Sequence, residues 1–227
     1  MKYFFIILLL FTVGTGLYAQ EMFTDPKNVF VTNEGVKITG AEAKRMLYNT
    51  TQKYELKRKP SNDGKTIIQL VPVTEKEYWK NIEADQKTVK KLKGTTMISY
   101  ELLDKEGQAF TNAKVAGKLT VYNFWFTGCR PCLTEIPQLN ELVATYGDQV
   151  NFVAPTFESQ EKVDRFLSKR SFQYQIMTGA TKMVSELRIT SYPTHLLVDE
   201  NGVIQQVFIG KSETIGKLLD KAISARL

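Results

Sequence analysis

The chain has 227 residues, enough for one full domain and a smaller one. Hydrophobic residues make up 43% and charged residues 24%, an ordinary globular balance that excludes collagen-like, repetitive and wholly disordered chains. The net charge of +6 gathers at one end: residues 21–95 hold 15 Lys+Arg against 10 Asp+Glu, residues 96–227 hold 14 against 14, and Lys2 supplies the rest. Basic residues interleaved with acids describe a solvated surface, so nucleic acid is not expected as a partner.

Residues 1–19 have the pattern of a signal peptide. Met1-Lys2 is a short basic start, residues 3–13 are almost wholly apolar, and Leu17-Tyr18-Ala19 before Gln20 suits cleavage. The apolar run is shorter than the ~20 residues of a membrane span. Retention as an N-terminal anchor is the alternative. No cysteine lies nearby for lipid attachment.

Residues 20–95 form a segment of mixed α and β pattern with no architecture that the sequence identifies. Residues 29–31 suggest a strand, 40–49 a helix, and 54–59 with 66–71 two strands around the turn Ser61-Asn62-Asp63-Gly64. Thr74 with Glu77 is a capping box opening a helix toward Asp85. The lysine-rich run 87–93 reads as a linker.

Residues 96–227 are more regular. A hairpin is expected at 97–103 and 108–110, then a dense apolar strand at 119–126, of the kind buried on both faces. A helix follows at 131–146, a strand at 150–155 and an amphipathic helix at 160–169. Strands at 194–198 and 203–209 meet at Asp199-Glu200-Asn201-Gly202, and a helix at 212–226 closes the chain. Strand, helix, strand, helix, hairpin and helix make an α/β sandwich on a mixed sheet.

The chain has two cysteines, Cys129 and Cys132, and one histidine, His195. A disulfide scaffold would spread more cysteines along the chain, and a zinc site would need further ligands, so no metal is expected. Both cysteines follow a buried strand and open a helix. The first turn of a helix carries unpaired N–H groups and partial positive charge, which favour a thiolate, the form that attacks disulfides. Pro131 suits that first turn, where its missing N–H costs nothing. Residues three apart share a helix face, so Cys132 reaches Cys129 and can resolve a mixed disulfide. Glu135 lies three further on and can exchange a proton with Cys132; the bland reading is a surface acid.

At these residues the chain resembles the TlpA/ResA group of thioredoxin-like proteins. The resemblance covers residues 96–227, which it reads as a thioredoxin-like domain with a three-layer α/β sandwich and a mixed central sheet. Asn123-Phe124-Trp125 precedes the cysteines, with asparagine where thioredoxin has a buried aspartate. Glu135 falls where ResA-like proteins carry an active-site glutamate. Pro137 falls at the kink of the long active-site helix. Together Asn123 and Glu135 imply that the acid–base group has moved from strand to helix. Gly128 departs from the usual tryptophan, a loss expected to expose the cysteines. Ser191-Tyr192-Pro193-Thr194 resembles the family's cis-proline loop. It implies that Pro193 packs against the disulfide and that Tyr192 offers backbone groups to an extended substrate segment.

His195 lies two residues past Pro193. It can tune the site's response to pH, or it can be a satisfied strand histidine turned the other way.

The resemblance implies an exported, periplasmic reductase of protein disulfides. Its substrates sometimes include the haem-binding cysteines of apocytochromes c, and a membrane-embedded thiol donor keeps it reduced. It implies no cofactor beyond the redox-active Cys129–Cys132 disulfide. A dithiol oxidase or isomerase on the same fold is the alternative, separated by redox potential. A peroxidase lacks its expected residues around Tyr122 and Gly128. A non-enzymatic binding module does not account for two correctly placed cysteines.

Overall fold

The computed structural model of the chain describes residues 23, 25–47, 51–210 and 213–227. The signal-peptide expectation for residues 1–19 lies outside the described residues, as does the end of the helix expected to reach residue 49. No helix among the described residues is long and apolar enough to cross a membrane. The chain divides into two compact units, Met1–Asp85 and Gln86–Leu227.

The first unit contains a four-stranded sheet in the order β2-β1-β4-β3. Its strands are β1 (Asn28–Val31), β2 (Lys37–Ile38), β3 (Lys53–Pro60) and β4 (Thr66–Val73). β3 and β4 pair antiparallel around the expected turn, where Gly64 takes φ 78°, a conformation open to glycine and costly to most residues. β1 runs parallel to β4 and antiparallel to β2. Helix α1 (Gly40–Leu47) buries Ala43 in a core with Phe30, Leu56, Ile68 and Leu70. Capping boxes open both of the helices described here. Thr39 and Glu42 exchange hydrogen bonds at α1, and Thr74 and Glu77 do the same at α2 (Glu75–Lys90).

The lysine-rich run is not a free linker. α2 continues through Lys87 to Lys90, and Val89 is buried in the second unit's core. One apolar residue on the inward face outweighs the surrounding lysines, whose ammonium heads stay in water.

The second unit has a five-stranded mixed sheet in the order β11-β10-β7-β8-β9. β7 (Thr120–Phe124) is central and wholly buried. It runs parallel to β8 (Asn151–Pro155) and antiparallel to β10 (Thr194–Val198). β9 (Gln175–Met177) extends the parallel side, and β11 (Ile204–Ile209) closes the antiparallel side. On one face α3 (Arg130–Tyr146), α4 (Gln160–Leu167) and α6 (Ile215–Ser224) cover a core of Val121, Trp125, Leu139, Val163, Leu197 and Leu219. On the other face α5 (Thr181–Glu186) and the β5–β6 hairpin (Glu101–Leu103, Ala109–Thr111) cover Tyr122, Phe124, Met183 and Leu196. This is the expected three-layer sandwich.

Two local differences have plain causes. The strand expected from residue 97 starts at Glu101, because the Asn112 amide bonds the backbone of Ile98 and Tyr100 and occupies the groups a partner strand would use. β9 and α5 have only three and six residues, and α5 has no side-chain cap, so neither leaves a clear periodic or capping signal.

Candidate active site

The site lies at the C-terminal end of β7, where the strand gives way to α3. Cys129 is the N-cap of α3, and its sulfur accepts a hydrogen bond from the Cys132 N–H at 3.3 Å. The two cysteines are joined as a disulfide with Cα atoms 5.3 Å apart. Pro131 occupies the first turn, and Arg130 is exposed to solvent. Pro137 sits inside the helix, where its ring removes the amide that would bond the Leu133 carbonyl.

The disulfide is nearly sealed. Cys129 is 3% and Cys132 1% exposed, so Gly128 does not expose the pair as expected. Leu133, Phe126 and Tyr192 pack against the core that contains both cysteines.

Glu135 is 2% exposed, not a surface acid. Its Oε2 lies 3.1 Å from Nε2 of His195, which is wholly buried. Register explains the meeting. His195 pairs across the sheet with Asn123 of β7. Strand alternation puts His195 on the face of Leu197, and Asn123 on the face of Val121, the face that α3 covers. Asn123, His195 and Glu135 thus form a polar level between the sheet and α3. Tyr174, just before β9, completes it: burial first, and the charge of Glu135 second, push its phenol well above the ordinary tyrosine range, so it stays protonated.

The Tyr192–Pro193 bond is cis, as the loop pattern suggested. The Pro193 carbonyl accepts from the Gly210 N–H at 2.8 Å, and Thr194 Oγ1 donates to the Ser191 carbonyl at 2.7 Å. The Tyr192 ring meets Phe126 at 5.3 Å and Phe157 at 5.7 Å, both edge-on. The three rings are half-buried and form an aromatic wall on the loops around the disulfide. A second buried acid, Glu158, accepts from the Thr127 N–H at 2.6 Å and from Thr127 Oγ1 at 3.2 Å, which pins the loop leading into Cys129.

The structure therefore brings Cys129, Cys132 and Glu135 together on α3 and places Tyr192 and cis-Pro193 on a neighbouring loop. In the sequence His195 admits two orientations, and Phe157 and Glu158 belong to no motif. The Glu135–His195 pair spans 60 positions, a separation only sheet register reveals. Among the described residues no cluster of His, Cys, Asp and Glu is arranged to hold a metal.

The profile of the redoxin family matches residues 85–222. The thioredoxin-like protein YneN of Bacillus subtilis is 28% identical over 151 residues, covering 65% of this chain and 88% of that protein. The thiol-disulfide oxidoreductase ResA of Geobacillus kaustophilus is 30% identical over 120 residues, covering 52% of this chain and 69% of the relative. Among solved structures, a thiol:disulfide interchange protein of the thioredoxin family from Chlorobium tepidum matches with a TM-score of 0.51 at 24% identity. That match covers 59% of this chain and 96% of the other.

Proposed function

Since the chain belongs to the redoxin family and is a thioredoxin-like thiol-disulfide oxidoreductase, we propose that it reduces disulfides of exported proteins through Cys129 and Cys132. The observation that carries this reading is the disulfide itself. It caps a helix N-terminus, with a buried carboxylate one turn beyond and a cis-proline loop on the neighbouring strand.

In the reduced protein the Cys129 thiolate attacks one sulfur of a substrate disulfide. The substrate S–S bond breaks, a mixed disulfide forms at Cys129, and the departing substrate thiolate takes a proton. Cys132 then gives its proton to Glu135 and attacks Cys129 Sγ. The mixed disulfide breaks, the second substrate thiolate leaves and is protonated, and Cys129–Cys132 closes. The substrate gains two electrons from the dithiol and two protons from solvent, and the Cys132 proton stays on Glu135. Tyr192, beside cis-Pro193, offers backbone groups to the substrate segment in an extended, strand-like pose.

The cycle needs no cofactor beyond the dithiol. It needs an electron donor, which we place in the membrane, with exported disulfide proteins, apocytochromes c among them, as substrates. Residues 1–19 then act as the export signal or an anchor, residues 96–227 carry the chemistry, and the compartment is the periplasm. Because members of the superfamily span ~150 mV in reduction potential, a measured potential at the reducing end supports this direction, and one at the oxidising end assigns an oxidase.

The test is a trap. Cys132→Ser should accumulate a Cys129-linked mixed disulfide with exported partners, and the wild type should reduce insulin. No trapped species together with no insulin reduction sinks the proposal.

A further inference from the structure

The mechanism above leaves the buried side chain of His195 unused. His195 is wholly buried, and its Nε2 lies 3.1 Å from Glu135 Oε2. Its other ring nitrogen, Nδ1, has no hydrogen-bond partner among the described residues. A histidine kept for structure alone uses both nitrogens, because an unpaired buried polar atom costs about 1–3 kcal/mol. Here the ring's single bond goes to the carboxylate that follows Cys132 by one helical turn. On the facing position of β7, Asn123 also buries an unpartnered Oδ1, and the Tyr174 hydroxyl is buried without a partner as well. Asn123 is the cross-strand partner of His195, and the Tyr174 phenol feels the charge of Glu135.

We propose that His195 is the positioning residue and proton-sharing partner of Glu135, the two forming a buried relay that takes the proton of Cys132 as the mixed disulfide is resolved. The inference rests on the reductase reading above and goes beyond it by assigning the proton's second host. During resolution Cys132 loses a proton to the Glu135 carboxylate. His195 hydrogen-bonds that carboxylate through Nε2 and holds it toward the sulfur. The pair then carries one extra proton, which returns to Cys132 when the next reduction reopens the Cys129–Cys132 disulfide and leaves Cys129 as the thiolate. No electron passes through the pair.

The groups set against Glu135 include His195 from β10 and the Tyr174 phenol from the segment before β9; Cys132 precedes it by one turn on α3, and Asn123 of β7 is the cross-strand partner of His195. The other buried ion pair, Glu158 with Lys162, faces Thr127 instead. The pair's proton affinity therefore depends on the charge of the cysteines, and by linkage the cysteines' reactivity depends on the pair.

His195 is the chain's only histidine, so its imidazole resonances need no assignment by mutation. The wild-type protein is titrated by NMR in its oxidised and reduced forms. The titration midpoint of the ring should rise on reduction by about one unit, because a thiolate nearby favours the protonated ring. A midpoint identical in the two redox states, or a ring that does not titrate in either, overturns the proposal.

Single-turnover kinetics supply the second measurement. His195→Gln keeps a donor near the Nε2 position but cannot accept a proton. Resolution should slow about tenfold near neutral pH, with the midpoint of its pH profile moved upward by about one unit. A wild-type rate and profile in His195→Gln would assign His195 a merely structural role. Insulin reduction by the wild type and trapping by Cys132→Ser are run alongside. If they fail, the reductase reading falls; if they succeed while His195→Gln is unaltered, only the relay falls.

Discussion

Glu158 and Lys162 lie 2.5 Å apart with their side chains almost wholly out of solvent. Glu158 is also the acceptor for Thr127, two residues before Cys129. A buried ion pair is weak evidence of net stability, but removing one partner strands the other. Lys162→Met should therefore cost about 3 kcal/mol in urea unfolding and loosen the loop before Cys129. A cost below about 0.5 kcal/mol, the level of an ordinary surface change, would show the pair to be solvated. Residues such as these mark the limit of sequence reading. Cys129, Cys132 and Pro193 were legible because their chemistry is encoded in spacings of a few residues. Glu158 looked like any acid before a helix, and His195 looked undecided, because their partners arrive through the fold. Glu135 was legible in position, but its burial was not.

The same contrast holds for elements. The hairpins, the buried central strand and the long helix announced themselves through turn residues, apolar density and 3.6-residue periodicity. The capping box at Thr74 was legible, and the one at Thr39 carries the same pattern. Each box holds its glutamate below the ordinary carboxylate range, first through the backbone N–H of the threonine and then through its hydroxyl. Folding thus favours the ionised form. The stabilisation is present above the ordinary glutamate range and is lost as pH falls through the lowered value. Thr74→Ala should weaken the first unit by about 1 kcal/mol, as measured by chemical denaturation. It should also flatten the acid limb of the stability profile; an unchanged limb would show that Glu77 contributes nothing there. β9 and α5 escaped notice because three or six residues carry too little pattern for burial to be read from them.

For the whole molecule, the sandwich class followed from element order, since strand–helix alternation ending in a hairpin admits few arrangements. The position of the division between units did not. A run of lysines reads as solvated, yet Val89 within it is 1% exposed in the core of the second unit, with Leu92 packed against that core. A chain cut at Thr96 discards both residues, whereas one cut at Gln86 keeps them. The shorter version should be less stable by about 2 kcal/mol, the worth of one buried valine. Equal urea midpoints for the two would place Val89 outside the cooperative unit.

The cysteine count has a further consequence, for how the chain reaches its fold. A protein built to exchange disulfides is exposed to its own chemistry while it is still unfolded. With two cysteines in the whole sequence, one intramolecular pairing exists, and it is the native one. The pair closes a loop too short to entangle the remaining chain. Intramolecular oxidation before, during or after folding therefore converges on the same covalent product, with no wrong internal pairing to reshuffle.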